Sequence, residues 1–208
     1  MLGRTLLISI LSTAVAIWPF ADLAYAANTT QLSQTINAGT LGVDVVDGSG
    51  NSVGSPTVGF GAVTFSFDQQ TGSGTLGTSS QKIRLSNGRQ APAAAWTLSV
   101  AGSAPSALWT SGGDTFDFNN ATAANGVMTV DPSTGTITPT NSYTATGVTL
   151  GSSNTFLQAT RDSLTILQGS TSASQPGRWD LAGITLSNTI PATQPPGTYT
   201  VTLVLTVS

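Results

Sequence analysis

Thr198-Tyr-Thr-Val-Thr-Leu-Val-Leu-Thr-Val-Ser208 closes the chain, and its alternation decides the fold class. Tyr199, Val201, Leu203, Leu205 and Val207 share one face of an extended chain, while the other face is Thr or Ser apart from Val204. Successive strand side chains point to opposite sides, so this pattern predicts a half-buried strand, with its apolar face on a core and its threonine face on solvent or another sheet. Upstream, Trp179, Leu181, Ile184 and Leu186 continue the apolar run with a phase change at Ala182-Gly183, where the glycine predicts a bulge. Between them lies Pro191-Ala-Thr-Gln-Pro-Pro-Gly197, whose prolines have no amide for a ladder and whose glycine suits a turn. The chain is expected to end in a strand pair with no appended anchor.

Working back from this end, no stretch sustains a 3.6-residue apolar period, and several alternate between turn-forming clusters. Residues 41–45 alternate and run into the turn Asp47-Gly-Ser-Gly-Asn51, from which 53–58 return. Residues 60–67 put Val63, Phe65 and Phe67 on one face. Residues 82–86 and 96–100 read as a hairpin through Asn87-Gly88 and a long loop containing Ala and Pro. Further strands are expected at 127–130, 136–138, 148–150, 156–157 and 164–167, with Asp131-Pro-Ser-Thr-Gly135 a type I turn. Residues 101–124 read as an irregular excursion with a helical turn at 120–124. Together these predict an all-β chain, an antiparallel β-sandwich of jelly-roll-like character with long irregular loops. The expected core is Trp96, Phe65, Phe67, Trp179, Tyr199 and Leu203.

The first residues read as an address. Arg4 supplies a positive start, 6–17 an apolar run and Ala24-Tyr25-Ala26 a small-x-small cleavage site, so 1–26 is expected to be a secretory signal peptide, leaving 27–208 as one β-sandwich domain. Charged residues make up 7% of the chain, where about 25% is usual; Glu, His and Cys are absent, and Lys82 is the single lysine. Without basic clusters, nucleic acid and membrane surfaces are poor partners. Without Cys there is no disulfide framework, although the expected location is outside the cytoplasm. A charge-poor, threonine-rich sheet leaves its edges weakly protected, so self-association is expected to be accessible.

The residue inventory also bounds the chemistry. A neutral-pH base is usually His or a tuned Glu, and neither is present, so the chain reads as non-enzymatic. If two aspartates acted as a glycosidase carboxylate pair, Asp114 and Asp117 are the pair the sequence favours. No cofactor is implied. Ca²⁺ is the one cation suited to hard oxygen ligands, but the Asp44–Asn51 region and Asp131-Pro-Ser-Thr-Gly135 fit turns better than a calcium loop. For ligand contact the candidates are Trp109, Asp114, Phe116, Asp117 and Asn119, an aromatic and short-polar cluster on a segment read as a loop, where a ring can cover a sugar face.

Trp96-Thr-Leu98, Trp179-Asp-Leu181 and the ending Ser187-Asn-Thr-Ile-Pro-Ala-Thr-Gln-Pro-Pro-Gly-Thr-Tyr199-Thr-Val-Thr-Leu203 resemble the WxL-domain surface proteins of Gram-positive-type bacteria. The resemblance implies a secreted domain that associates non-covalently with peptidoglycan, its partners being cell-wall glycan or other envelope proteins. It carries over to Trp96, Leu98, Tyr199 and Leu203, with Trp179 and Leu181 as an additional copy. In the family's final motif, Tyr-x-x-x-Leu-Thr-Trp-x-Leu, this chain has Val204, Leu205 and Val207 at the last Thr, Trp and Leu.

Overall fold

The computed structural model describes residues 33–90, 94–173 and 176–208. The expected leader 1–26 and the following residues 27–32 lie outside these. The described strands all fall in the compact unit Asn37–Ser208. They are β1 Leu41–Val46, β2 Gln70–Leu76, β3 Lys82–Asn87, β4 Trp96–Gly102, β5 Leu108–Ser111, β6 Asp114–Asp117 and β7 Met128–Asp131. After these come β8 Thr136–Pro139, β9 Val148–Leu150, β10 Asn154–Thr155, β11 Ser163–Gly169, β12 Gly177–Ala182, β13 Ile184–Ile190 and β14 Leu203–Val207. Among the described residues all pairings are antiparallel, and the helical content is two 3-10 turns, Ala123–Asn125 and Pro132–Thr134. The chain is all-β and sandwich-like.

Two of the sheets are halves of one bent sheet. Their orders are β1-β3-β12-β8 and β10-β7-β13-β2, so β2 leads into β3, β7 into β8 and β12 into β13 across a shared line. The bend is sharpest at Gly183, which alone separates β12 from β13 and has φ +86°, a conformation that favours glycine. Its amide donates to the Gly77 carbonyl at 2.7 Å, and its own carbonyl accepts from the Thr134 hydroxyl at 2.9 Å, so all three strands are stitched along the corner. Asp131 caps the turn between β7 and β8, its carboxylate accepting from the Ser133 amide at 3.1 Å. The third sheet, β14-β4-β11-β9, contributes Trp96, Leu98, Val100 and Ile166 to the same core.

Several sequence expectations are corrected by the pairing. Gly183 makes a corner between sheets rather than a bulge within one strand. The closing segments do not pair with each other, because β13 lies between β2 and β7 while β14 pairs with β4. Nor do β3 and β4 form a hairpin; they belong to different sheets. The return from the Asp47–Asn51 turn pairs with β1 only at its start, through the Val46–Ser52 bridge and the Val53 amide on the Val45 carbonyl at 2.8 Å, and residues 53–58 form no strand. Phe65 and Phe67 are not core residues, since 61–67 forms no strand and leaves them 47% and 80% exposed. Phe156 is buried, as the apolar pattern implies, but just beyond β10. The closing alternation itself holds: Tyr199, Val201, Leu203, Leu205 and Val207 are half-buried against the core, and Val204 faces out.

The Trp-x-Leu strands meet at the centre of the core. Trp96 on β4 and Trp179 on β12 lie with ring centroids 5.5 Å apart, and Leu98 and Leu181 are fully buried beside them. Gly169 stands directly opposite Trp96 across the β4–β11 ladder, and a Cβ there would fall inside the indole. The ring therefore lies flat over the glycine backbone. Gly169→Ala is expected to destabilise the fold by about 1–3 kcal/mol or more through overpacking, measured by urea denaturation. Trp96→Phe in the same chain should recover part of that loss.

Candidate functional site

The short strands β5 and β6 form a hairpin around Gly112-Gly113, and it is tied to the closing segment by reciprocal amide–carbonyl bonds between Thr110 and Thr200, each 3.0 Å. Its inward face carries Trp109 opposite Phe116, stacked with centroids 5.8 Å apart and planes 14° apart. Phe60 meets the Trp109 ring edge-on at 5.4 Å, and Tyr199 meets Phe116 at 5.2 Å. The indole N–H donates to the buried Asn188 Oδ1 at 3.1 Å, fixing the ring to β13. Tyr199 is held through its hydroxyl, which donates to the Pro195 carbonyl at 2.9 Å and accepts from Gln194 at 2.8 Å. These rings form one wall of an open groove of about 540 Å³, whose other side is the segment carrying Val63 and Phe65. Among the described residues no charged side chain lines it.

The sequence candidates fall in one neighbourhood but in a different setting from the one expected. Trp109 and Phe116 lie on strands rather than on a loop, and each is only 8% exposed, so the indole is a buried anchor with neighbours on its face and edge. Asn119 is buried and donates to the Pro105 carbonyl at 2.8 Å, while its Oδ1 has no partner among the described residues. Asp114 and Asp117, three apart on β6, project to opposite faces of the strand, and Asp117 accepts from Asn120 at 2.6 Å. That geometry does not bring two carboxylates onto one substrate. Trp96, Leu98, Trp179 and Leu181 are core residues; Tyr199 and Leu203 are half-buried, and Tyr199 alone of the six borders the groove.

One charged cluster escaped the sequence reading. Asp180, in the middle of Trp-Asp-Leu, is 5% exposed and faces Arg84 across the β3–β12 ladder. Arg84 Nε and Nη2 donate to its two carboxylate oxygens at 2.7 and 2.9 Å, a bidentate fork, and Lys82 stands 4.0 Å away. The hydrogen bonds to Asp180 hold the guanidinium still more firmly protonated, with the neighbouring Asp44 and Asp47 charges adding to them against a desolvation cost. The turn Asp47–Asn51 folds over this pair, the Gly50 carbonyl accepting from Arg84 at 3.3 Å. The available signal was the charge itself: an Arg and an Asp inside alternating strands are conspicuous in a charge-poor chain.

Asp47 organises that turn through its carboxylate. Its Oδ1 accepts from the amides of Ser49 and Asn51, both at 2.9 Å, and its Oδ2 from the Asn51 side chain at 3.2 Å. The Asn51 backbone amide is the largest cause holding its carboxyl below the ordinary value of 3.8. Because the folded value is the lower one, the turn is stabilised above pH 3.8 and loosens as the pH falls through the lowered value. An NMR titration following the Asn51 amide is expected to give a midpoint below 3.8; a midpoint above it would contradict the bonded turn.

No protein-family model, curated protein or solved structure matches the chain. Functional argument therefore rests on its own residues. Among the described residues no helix is long and apolar enough to cross a membrane.

Proposed function

We propose that the chain is a secreted, non-catalytic protein of the bacterial cell surface, held to the wall by non-covalent contacts with glycan or with other envelope proteins. The observation that carries this reading is the meeting of the two Trp-x-Leu motifs, Trp96 against Trp179 with Leu98 and Leu181 buried beside them. Two Trp-x-Leu motifs separated in sequence are the feature by which the chain resembles WxL domains, and the leader-like 1–26 agrees with export. In this reading the motif residues build the scaffold. Contact with the wall falls to the surface, where the groove beside Tyr199 is the concave candidate. Intact cells washed with high salt or mild chaotrope, followed by blotting, test it: the protein should remain with cells in buffer and be released by the wash. Recovery of all of it from the growth medium would remove the envelope assignment.

A second reading, a self-assembling subunit of a surface fibre or layer, is favoured by the uncharged groove and the exposed Val63, Phe65 and Phe67 beside it. Apolar surface of this kind, rimmed by polar residues, is characteristic of interaction sites. A third reading, a glycan-acting enzyme, would rest on Asp114 and Asp117, whose opposite orientations weigh against it.

A further inference from the structure

We propose that the groove receives an extended segment from a second copy of this chain, residues 33–37 with Ile36 as the apolar anchor, joining subunits head to tail. This rests on the self-assembly reading and specifies its contact. The acceptor side has the two features that strand addition needs. Residues 62–65 belong to no strand and make no backbone hydrogen bond to the described residues, flanked by bonds from the Gly61 amide to Ser73 and from the Thr193 amide to Ser66. Alternate side chains of that stretch, Val63 and Phe65, are 44% and 47% exposed at the rim of an aromatic-walled groove.

The donor is chosen by three observations. Residues 33–40 are all exposed, and Ile36, at 82%, is the most exposed large hydrophobic residue described. Residues 27–43 carry no charge, matching a groove lined by none, so insertion strands no ion in a low-dielectric site. Reach then assigns the segment to another copy. Gly39 is bonded to the Gly88 carbonyl at the outer end of β3, and Ile36 is only three residues, at most about 10 Å of chain, before it. The six residues of β3 put roughly 20 Å between Gly88 and the corner, and the groove lies beyond the corner, near Gln70 and Ile190. Ile36 cannot fill its own groove. A segment that reaches only a neighbour's groove makes a heterologous contact, which extends into rings or filaments.

The test uses the chain as exported by a bacterial host. Ile36→Asp and Phe65→Asp alter exposed side chains, so both variants should keep the parent melting temperature while each weakens self-association at least about tenfold in light scattering. Because the chain has no cysteine, mixing an Ile36→Cys chain with a Val63→Cys chain should give a disulfide-linked pair between them. A Thr149→Cys partner, exposed but remote from the groove, should give little. Assembly that survives Ile36→Asp, without the cross-link, overturns this contact and leaves self-assembly standing. A chain that stays monomeric at every concentration overturns both. Solubilised wall glycan that protects Val63→Cys from a thiol reagent, equally in the Ile36→Asp background, would give the groove to the glycan and overturn the donated segment.

Discussion

Trp179→Ala is expected to lower folding stability by about 3–5 kcal/mol, the range for deleting a fully buried aromatic, out of the roughly 5–15 kcal/mol that holds a typical domain together. Trp179 is completely buried, touches Trp96 of the facing sheet, and donates its indole N–H to the Thr144 carbonyl at 2.7 Å. The alanine variant would leave a cavity between two sheets and lose that hydrogen bond. Trp96→Ala should cost a similar amount, but the two phenylalanine variants should separate. Trp179→Phe forfeits the Thr144 bond, whereas Trp96 Nε1 is buried with no partner among the described residues, so Trp96→Phe removes an unsatisfied donor and keeps most of the ring. Urea denaturation of the four variants is the measurement. A stable Trp179→Ala chain would mean that the motif does not hold the core.

The second large effect is expected at Arg84. Arg84→Ala leaves the Asp180 carboxylate buried without its fork, and breaking such a pair costs roughly 3–5 kcal/mol when both groups are desolvated. With the Arg84 side chain 19% accessible and Lys82 within 4.0 Å of Asp180, the expected cost is near about 3 kcal/mol. Arg84→Lys should recover only part of it, because an ammonium cannot form the two parallel bonds. The double variant Arg84→Met, Asp180→Leu should be clearly more stable than Arg84→Ala alone, since no charge is then left buried. If Arg84→Ala denatures at the parent urea concentration, Asp180 is solvated in solution and the pair is not a structural contact.

How far the fold was legible follows from what a period can encode. Alternation located β1, β3, β4, β12, β13 and β14, because side-chain direction along a strand is local. It did not identify partners: β3 and β4 are consecutive in sequence yet lie in different sheets, and nothing between residues 87 and 96 records that. Gly183 was visible as a break, but a bulge and a corner leave the same glycine in sequence. Val63-Thr-Phe-Ser-Phe67 shows why a correct period can mislead, since its alternation is real and its apolar face is left largely exposed among the described residues. The Trp109 setting was legible in principle. Gly112-Gly113 is a two-residue hairpin signal between Leu108–Ser111 and Asp114–Asp117, and it fixes Trp109 opposite Phe116. The groove needed three dimensions, because Phe60, Trp109, Asn188 and Tyr199 are brought together only by the sheet corner and the proline-rich crossing.

Attachment to the wall is tested most directly by sedimenting the exported protein with purified cell-wall sacculi, before and after protease has stripped the sacculi of protein. The expected result is co-sedimentation with both preparations and release by mild chaotrope, as non-covalent glycan contact requires. Binding only to untreated sacculi would assign retention to a partner protein, and protein left in the supernatant with both preparations would contradict the cell-surface reading.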